Sequence, residues 1–135
     1  IAIDKKRKII YAKEELYKSK ITISEIYAIN RQRAGRSLII ADSASAGTIA
    51  ELQKLGLNIR GAKKGAGSIA TGIALIQDYE LVVDPDSKNM AKELNNYIYT
   101  DKGAQLACDM YNHSLDALRY GVSHLLANRG KIEIR

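Results

Sequence analysis

The chain has 135 residues and a formal charge of +6, from 21 Lys and Arg against 15 Asp and Glu. That length suits one domain burying roughly two-thirds of its unfolded surface, and the basic excess favours a polyanionic partner without identifying it. One cysteine, Cys108, excludes an internal disulfide and a cysteine zinc site, and the absence of Phe and Trp argues for backbone contacts over base stacking.

No apolar run reaches the length of a membrane span, and Lys5, Lys6, Arg7 and Lys8 lack the apolar segment of a signal peptide, so a soluble intracellular protein is expected. Residues 1–3 and 9–12 are β-prone runs separated by a polar tract, which predicts a hairpin. Tyr11, Lys13, Glu15 and Tyr17 share one side of a period-two pattern, which carries the second strand on toward Tyr17. Thr22 or Ser24 then caps a helix bearing Ile26, Tyr27 and Ile29, which gives out within residues 30–36.

Residues 37–43, Ser-Leu-Ile-Ile-Ala-Asp-Ser, form an unalternated apolar run ending on an acid. They predict a strand buried on both faces, with Asp42 at its carboxyl end, where open α/β sheets place their sites. An acid at such a junction is also a helix cap, so position alone leaves both roles open. Ser45, Gly47 and Thr48 open the next helix, with Ile49, Leu52 and Leu55 three apart. Gly56 stops it, and residues 57–61 return as a parallel strand by a right-handed crossover.

Residues 62–68 are a glycine-rich basic loop running into a helix with Ser68 as its cap and Ile69, Ile73 and Ile76 on one face. Arg60, Lys63 and Lys64 stand beyond the preceding strand, where they either reach a phosphate or simply solvate a loop. Residues 80–83 read as a strand, 84–87 as a turn, 90–94 as the centre of a helix and 97–99 as a last short strand.

The final helix is expected over about 109–128, with Tyr111, Leu115, Leu118, Val122 and Leu125 as its apolar stripe. Asp109, His113, Asp116 and Tyr120 lie nearly opposite, so His113 and Asp116, three apart, project together. They are either a solvated polar face or a metal-binding Asp beside a His. Ser43 and Ser45 lack the Gly-x-Ser-x-Gly surroundings of a nucleophile and read as caps, while Cys108 and His124 read as structural side chains.

Two-metal phosphodiester hydrolysis needs carboxylates converging from different elements, and oxygen ligands suit Mg²⁺ or Mn²⁺. The run Ala41-Asp42-Ser43-Ala44, then Ile49-Ala50-Glu51-Leu52, Leu55-Gly56-Leu57-Asn58-Ile59, Ala62-Lys63-Lys64-Gly65 and Gly67-Ser68-Ile69, closely resembles the nuclease domain of tailed-phage terminase large subunits. Asn112-His113-Ser114-Leu115-Asp116-Ala117-Leu118-Arg119-Tyr120 resembles that family's last catalytic segment. The resemblance covers nearly the whole chain, with residues 1–17 matching more loosely.

The resemblance implies a ribonuclease H-like α/β fold, an antiparallel hairpin followed by parallel strands with flanking helices. It implies that Asp42 and Asp116 bind metal, Mg²⁺ or Mn²⁺ in a two-metal site, with His113 beside them for proton transfer or water positioning. Its activity would be cleavage of double-stranded concatemeric DNA during genome packaging, in the host cytoplasm. Its partners would be that DNA, the small terminase subunit and the portal or procapsid. The family's first metal-binding Asp lies on a strand upstream of the hairpin, and the chain is expected to lack that strand and the ATPase motor, having no Walker sequence. Two other readings remain: an incomplete fragment or remnant that retains DNA or partner binding, and a small α/β metabolic enzyme.

Overall fold

The computed structural model describes residues 1–96, 99–100, 103–107 and 112–127. In chain order the elements are β1 (Ala2–Asp4), β2 (Ile9–Ala12), α1 (Ile23–Ala34), β3 (Ile39–Ala41), a 3-10 turn (Ser43–Ser45), α2 (Ala46–Lys54), β4 (Ile59–Gly61), α3 (Ser68–Gln77), β5 (Glu80–Val83), α4 (Lys88–Asn96), β6 (Tyr99–Thr100), β7 (Gly103–Ala107) and α5 (His113–Ala127).

The expected hairpin forms, with β1 and β2 antiparallel and Ile3 opposite Ile10. Asp4 ends β1 and accepts the Arg7 N–H at 2.9 Å, which closes the turn. β2 pairs in parallel with β5, Ile10 against Leu81, while β3 pairs in parallel with β4, Ile40 against Arg60. The crossover through α2 is therefore the expected βαβ unit. β6 and β7 form a separate antiparallel pair, of which β7 has no counterpart among the strands expected from the sequence. Among the described residues, β1 and β3 each keep one unpaired edge.

Two apolar cores hold these layers together. Ile10 and Ala12 of β2 meet Leu115, Leu118, Val122 and Leu126 of α5, with Tyr79 and Met90 closing the cluster. Ile10, Leu118, Val122 and Leu126 are almost wholly buried, and each such side chain contributes roughly 1.5–3 kcal/mol. The second core joins Ile49 and Leu52 of α2 to Leu57 and Ile59, flanked by Ile23, Ile26 and Tyr27 of α1. That face of α1 is fixed at its start by a capping box: the Glu25 N–H donates to Thr22 Oγ1 at 3.2 Å and the Thr22 N–H donates to the Glu25 carboxylate at 2.8 Å.

Several local expectations are corrected. β2 stops at Ala12, because Glu14 and Tyr17 turn away to bond with Ser87, Met90 and Glu93 rather than with a strand. β3 is half-buried, since Ile39 and Ala41 face the second core while Ile40 opens onto cavities on the other side. Ser68 is the first residue of α3, and Gly67 precedes it as the cap at φ +73, a conformation that costs glycine nothing. On α5 the buried seam continues to Leu126, leaving Leu125 40% exposed, because a 3.6-residue turn drifts off a strict heptad. The expectations for Tyr97, Cys108, Asp109 and Tyr111 lie outside the described residues.

Candidate active site

Asp42 leaves the end of β3 in extended conformation, and its carboxylate caps the following 3-10 turn by accepting the Ala44 N–H at 2.9 Å. The capping role is thus real, and it fixes one oxygen of the side chain. That same oxygen receives the ammonium of Lys64 from the basic loop. The Lys64 bond above all, then the Ala44 N–H, hold Asp42 below the usual carboxylate range against the opposing effect of burial, with the charges of Lys64 and Arg119 adding to them. Lys64 is raised in turn, chiefly by Asp42.

Tyr120 of α5 lies beneath both cations. Lys64 Nζ stands 5.4 Å from its ring centroid and the guanidinium carbon of Arg119 stands 4.7 Å away. Arg119 is only 7% exposed and donates to Asp116, three residues back on α5, at 3.2 Å. A buried guanidinium needs such partners, here a carboxylate and an aromatic face. Room for its stem comes from Gly72 of α3, where a Cβ would lie 2.5 Å from Arg119 Cγ and 2.8 Å from Cδ. The result is a continuous series, Asp42, Lys64, Tyr120, Arg119 and Asp116, joining the end of β3 to the basic loop and α5.

The other expected site residues stand around this series. His113 is the exposed first residue of α5 and lines a groove of about 730 Å³ that also contains Ile1 and Ile40, without a hydrogen-bond partner among the described residues. Arg60 and Lys63 line a different cavity, reached past Tyr120 and Arg119, and make no ion pair among the described residues.

Two carboxylates to which the sequence reading gave no site role cap α4 and α5. Glu14, just beyond β2, accepts the Met90 N–H at 2.9 Å and the Asn89 side-chain amide at 2.8 Å, capping α4 from outside. Glu93 of α4, 2% exposed, accepts the Ser114 N–H at 2.8 Å, the Leu115 N–H at 3.0 Å, the Tyr17 hydroxyl at 3.0 Å and the Ser114 hydroxyl. It therefore caps the helix that carries His113 and Asp116. Burial alone would raise the Glu93 carboxyl, but these donors outweigh it and hold the group below its ordinary range. The available signal was an acid three residues after Met90, on the apolar face of α4.

The hard oxygens of Asp42 and Asp116 fit Mg²⁺ or Mn²⁺, and in the structure each carboxylate carries a side-chain cation. Among the described residues no three His, Cys, Asp or Glu side chains gather closely enough to hold an ion, so two carboxylates fall short of a shared two-ion ligand set. No described helix is long and apolar enough to cross a membrane.

Solved structures share this architecture. The large-terminase (g2p) nuclease domain of bacteriophage SPP1, solved with bound Mn, superposes with a TM-score of 0.76 at 32% identity, covering 92% of this chain and 75% of that one. The large terminase of a thermophilic bacteriophage gives a TM-score of 0.63 at 22% identity, over 78% of this chain and 29% of that one. No curated protein matches the chain. The family model described as the Terminase RNAseH like domain matches residues 1–124, so the chain, with its ribonuclease H-like α/β fold, belongs to the terminase nuclease family.

Proposed function

We propose that the chain is the endonuclease part of a phage packaging machine, hydrolysing double-stranded concatemeric DNA with Mg²⁺ or Mn²⁺. The observation that carries this reading is that Asp42 and Asp116, from a strand end and a distant helix, meet the same cation and aromatic series. Membership of the terminase nuclease family and the Mn bound in the SPP1 domain support it. Asp42 and Asp116 would hold the metal, which when bound would supply an activated water and stabilise charge on the leaving oxygen. His113, one turn before Asp116, orients the water or carries a proton. Arg60, Lys63 and Lys64 bind the DNA backbone, with Lys64 exchanging Asp42 for a phosphate. The partners are then double-stranded DNA, the small terminase subunit and the portal or procapsid, in the host cytoplasm.

The carboxylate count among the described residues supports a second reading, a catalytically incomplete fragment or remnant that retains DNA or partner binding. On this reading a further strand would supply the third Asp that the resemblance implies, and the groove lined by Ile1 and Ile40 is where we propose that it would lie.

Plasmid cleavage tests both. With Mg²⁺ or Mn²⁺, a longer polypeptide bearing that strand should nick and cut DNA, chelator should stop it, and the present chain should be far weaker. Asp42→Asn or Asp116→Asn in the longer polypeptide should abolish cutting, and His113→Ala should reduce it by about 10²–10⁴-fold. Full activity in Asp42→Asn overturns the metal-site reading, and an inert longer wild type favours the remnant.

A further inference from the structure

Next to the carboxylate series lies a cavity of about 540 Å³ between the end of β4, α3 and α5. Arg60 and Lys63 enter it from the strand end and loop, Thr71 from α3, and Arg119, Ser123 and His124 from α5. Among the described residues no Asp or Glu lines it. Among the described residues neither Arg60 nor Lys63 is paired with an acid, while Arg119 is buried at the back with its charge already placed. Unpaired cations facing one concave surface, with hydroxyl and imidazole groups between them, present donors and no competing acceptor charge. The volume lies within the roughly 300–1,000 Å³ range of small-ligand pockets, ample for a phosphate with its flanking sugars. Tyr120 and Arg119 form its wall toward Asp42 and Asp116, so a group seated there stays close to the carboxylates. The N-terminal end of α3 borders it, and the helix dipole there favours an anion.

We infer that this cavity seats one phosphodiester of the DNA strand, beside the bond presented to Asp42 and Asp116. The inference rests on the nuclease reading for its substrate, but its test needs no cleavage. Affinity for a short labelled duplex is measured in chelator over a salt series. Arg60→Ala and Lys63→Ala should each weaken binding and make the log–log salt slope shallower by about 0.9, the value for one phosphate contact. Thr71→Leu, at an exposed helical position, changes no charge but obstructs the cavity, and it should also weaken binding. Lys5→Ala, a distant exposed cation, should leave both affinity and slope nearly unchanged.

A loss with Lys5→Ala equal to that with Lys63→Ala, or no effect of Thr71→Leu, overturns the seat in favour of diffuse attraction. Inorganic phosphate is the second arm, followed by its ³¹P line width. Phosphate binding that depends on Arg60, with duplex affinity unchanged in Arg60→Ala, overturns DNA as the occupant and leaves a free-anion site. Failure of the longer polypeptide to cut in Mg²⁺, with these binding effects intact, would count against the nuclease reading alone.

Discussion

Glu93 and Leu115 stand 22 residues apart in sequence and are joined by a 3.0 Å hydrogen bond, the Leu115 N–H donating to the Glu93 carboxylate. With the Ser114 N–H beside it, this carboxylate satisfies donors that the first turn of α5 cannot satisfy itself. Glu93→Ala should therefore cost about 3 kcal/mol in urea unfolding, since it strips a charged acceptor from buried donors, and Glu93→Gln should cost less. The pH dependence has a definite sign. Because the folded Glu93 carboxyl lies below its ordinary value, the stability it contributes is fully present above the unfolded pKa and is lost as pH falls through the folded one. A Glu93→Gln variant with the wild-type acid unfolding profile would remove Glu93 from this role.

Gly72→Ala sets two effects against each other. Alanine gains roughly 1 kcal/mol over glycine within a helix, but its Cβ would stand 2.5 Å from Arg119 Cγ. The obstructed atoms are the stem of a buried side chain rather than its free end, and overpacking of this kind costs about 1–3 kcal/mol. The substitution should be net destabilising and should shift Arg119 off Asp116. Thermal unfolding and the chemical shift of the Asp116 carboxyl report the two consequences separately, and a stabilised variant would mean that Arg119 repacks freely.

Lys64 is the first cause of the lowered pKa of Asp42. In Lys64→Ala the carboxyl should titrate closer to the ordinary Asp value of about 3.9, as followed by carbon NMR. If Asp42 also takes up metal, removing its competitor should raise Mn²⁺ affinity in the same variant while DNA affinity falls. Equal Mn²⁺ affinity in both proteins would separate Lys64 from the metal-binding role of Asp42.

Elements whose signals are local were legible in the sequence. The hairpin, a helix cap at Thr22 or Ser24, the parallel β3–β4 pair and the position of Asp42 at a strand end all follow from periodicity and turn chemistry within a few residues, and the structure selects Thr22 as the cap. In the sequence Lys64 reads either as a phosphate contact or as part of a solvated loop, and its bond to Asp42 depends on how the basic loop folds back over α5. Arg119 and Tyr120 are visible there only as part of a helix face, because nothing local marks a buried guanidinium as the partner of residues on two other elements. Glu14 and Glu93 escape a local reading for the same reason. Each caps a helix from another segment, so the capping group that would ordinarily stand immediately before α4 or α5 lies 76 or 22 residues from the amide it serves.

That arrangement imposes an order on local opening. Glu14 caps α4 from the exit of the hairpin, and α4 in turn supplies the acid that caps α5. Release of α5 leaves the α4 cap untouched, whereas melting of α4 withdraws Glu93 and frees the start of α5 with it. The Leu115 amide therefore loses its acceptor whenever α4 melts. Exchange at the start of the helix that bears His113 and Asp116 should therefore report the opening of α4 as well as that of α5.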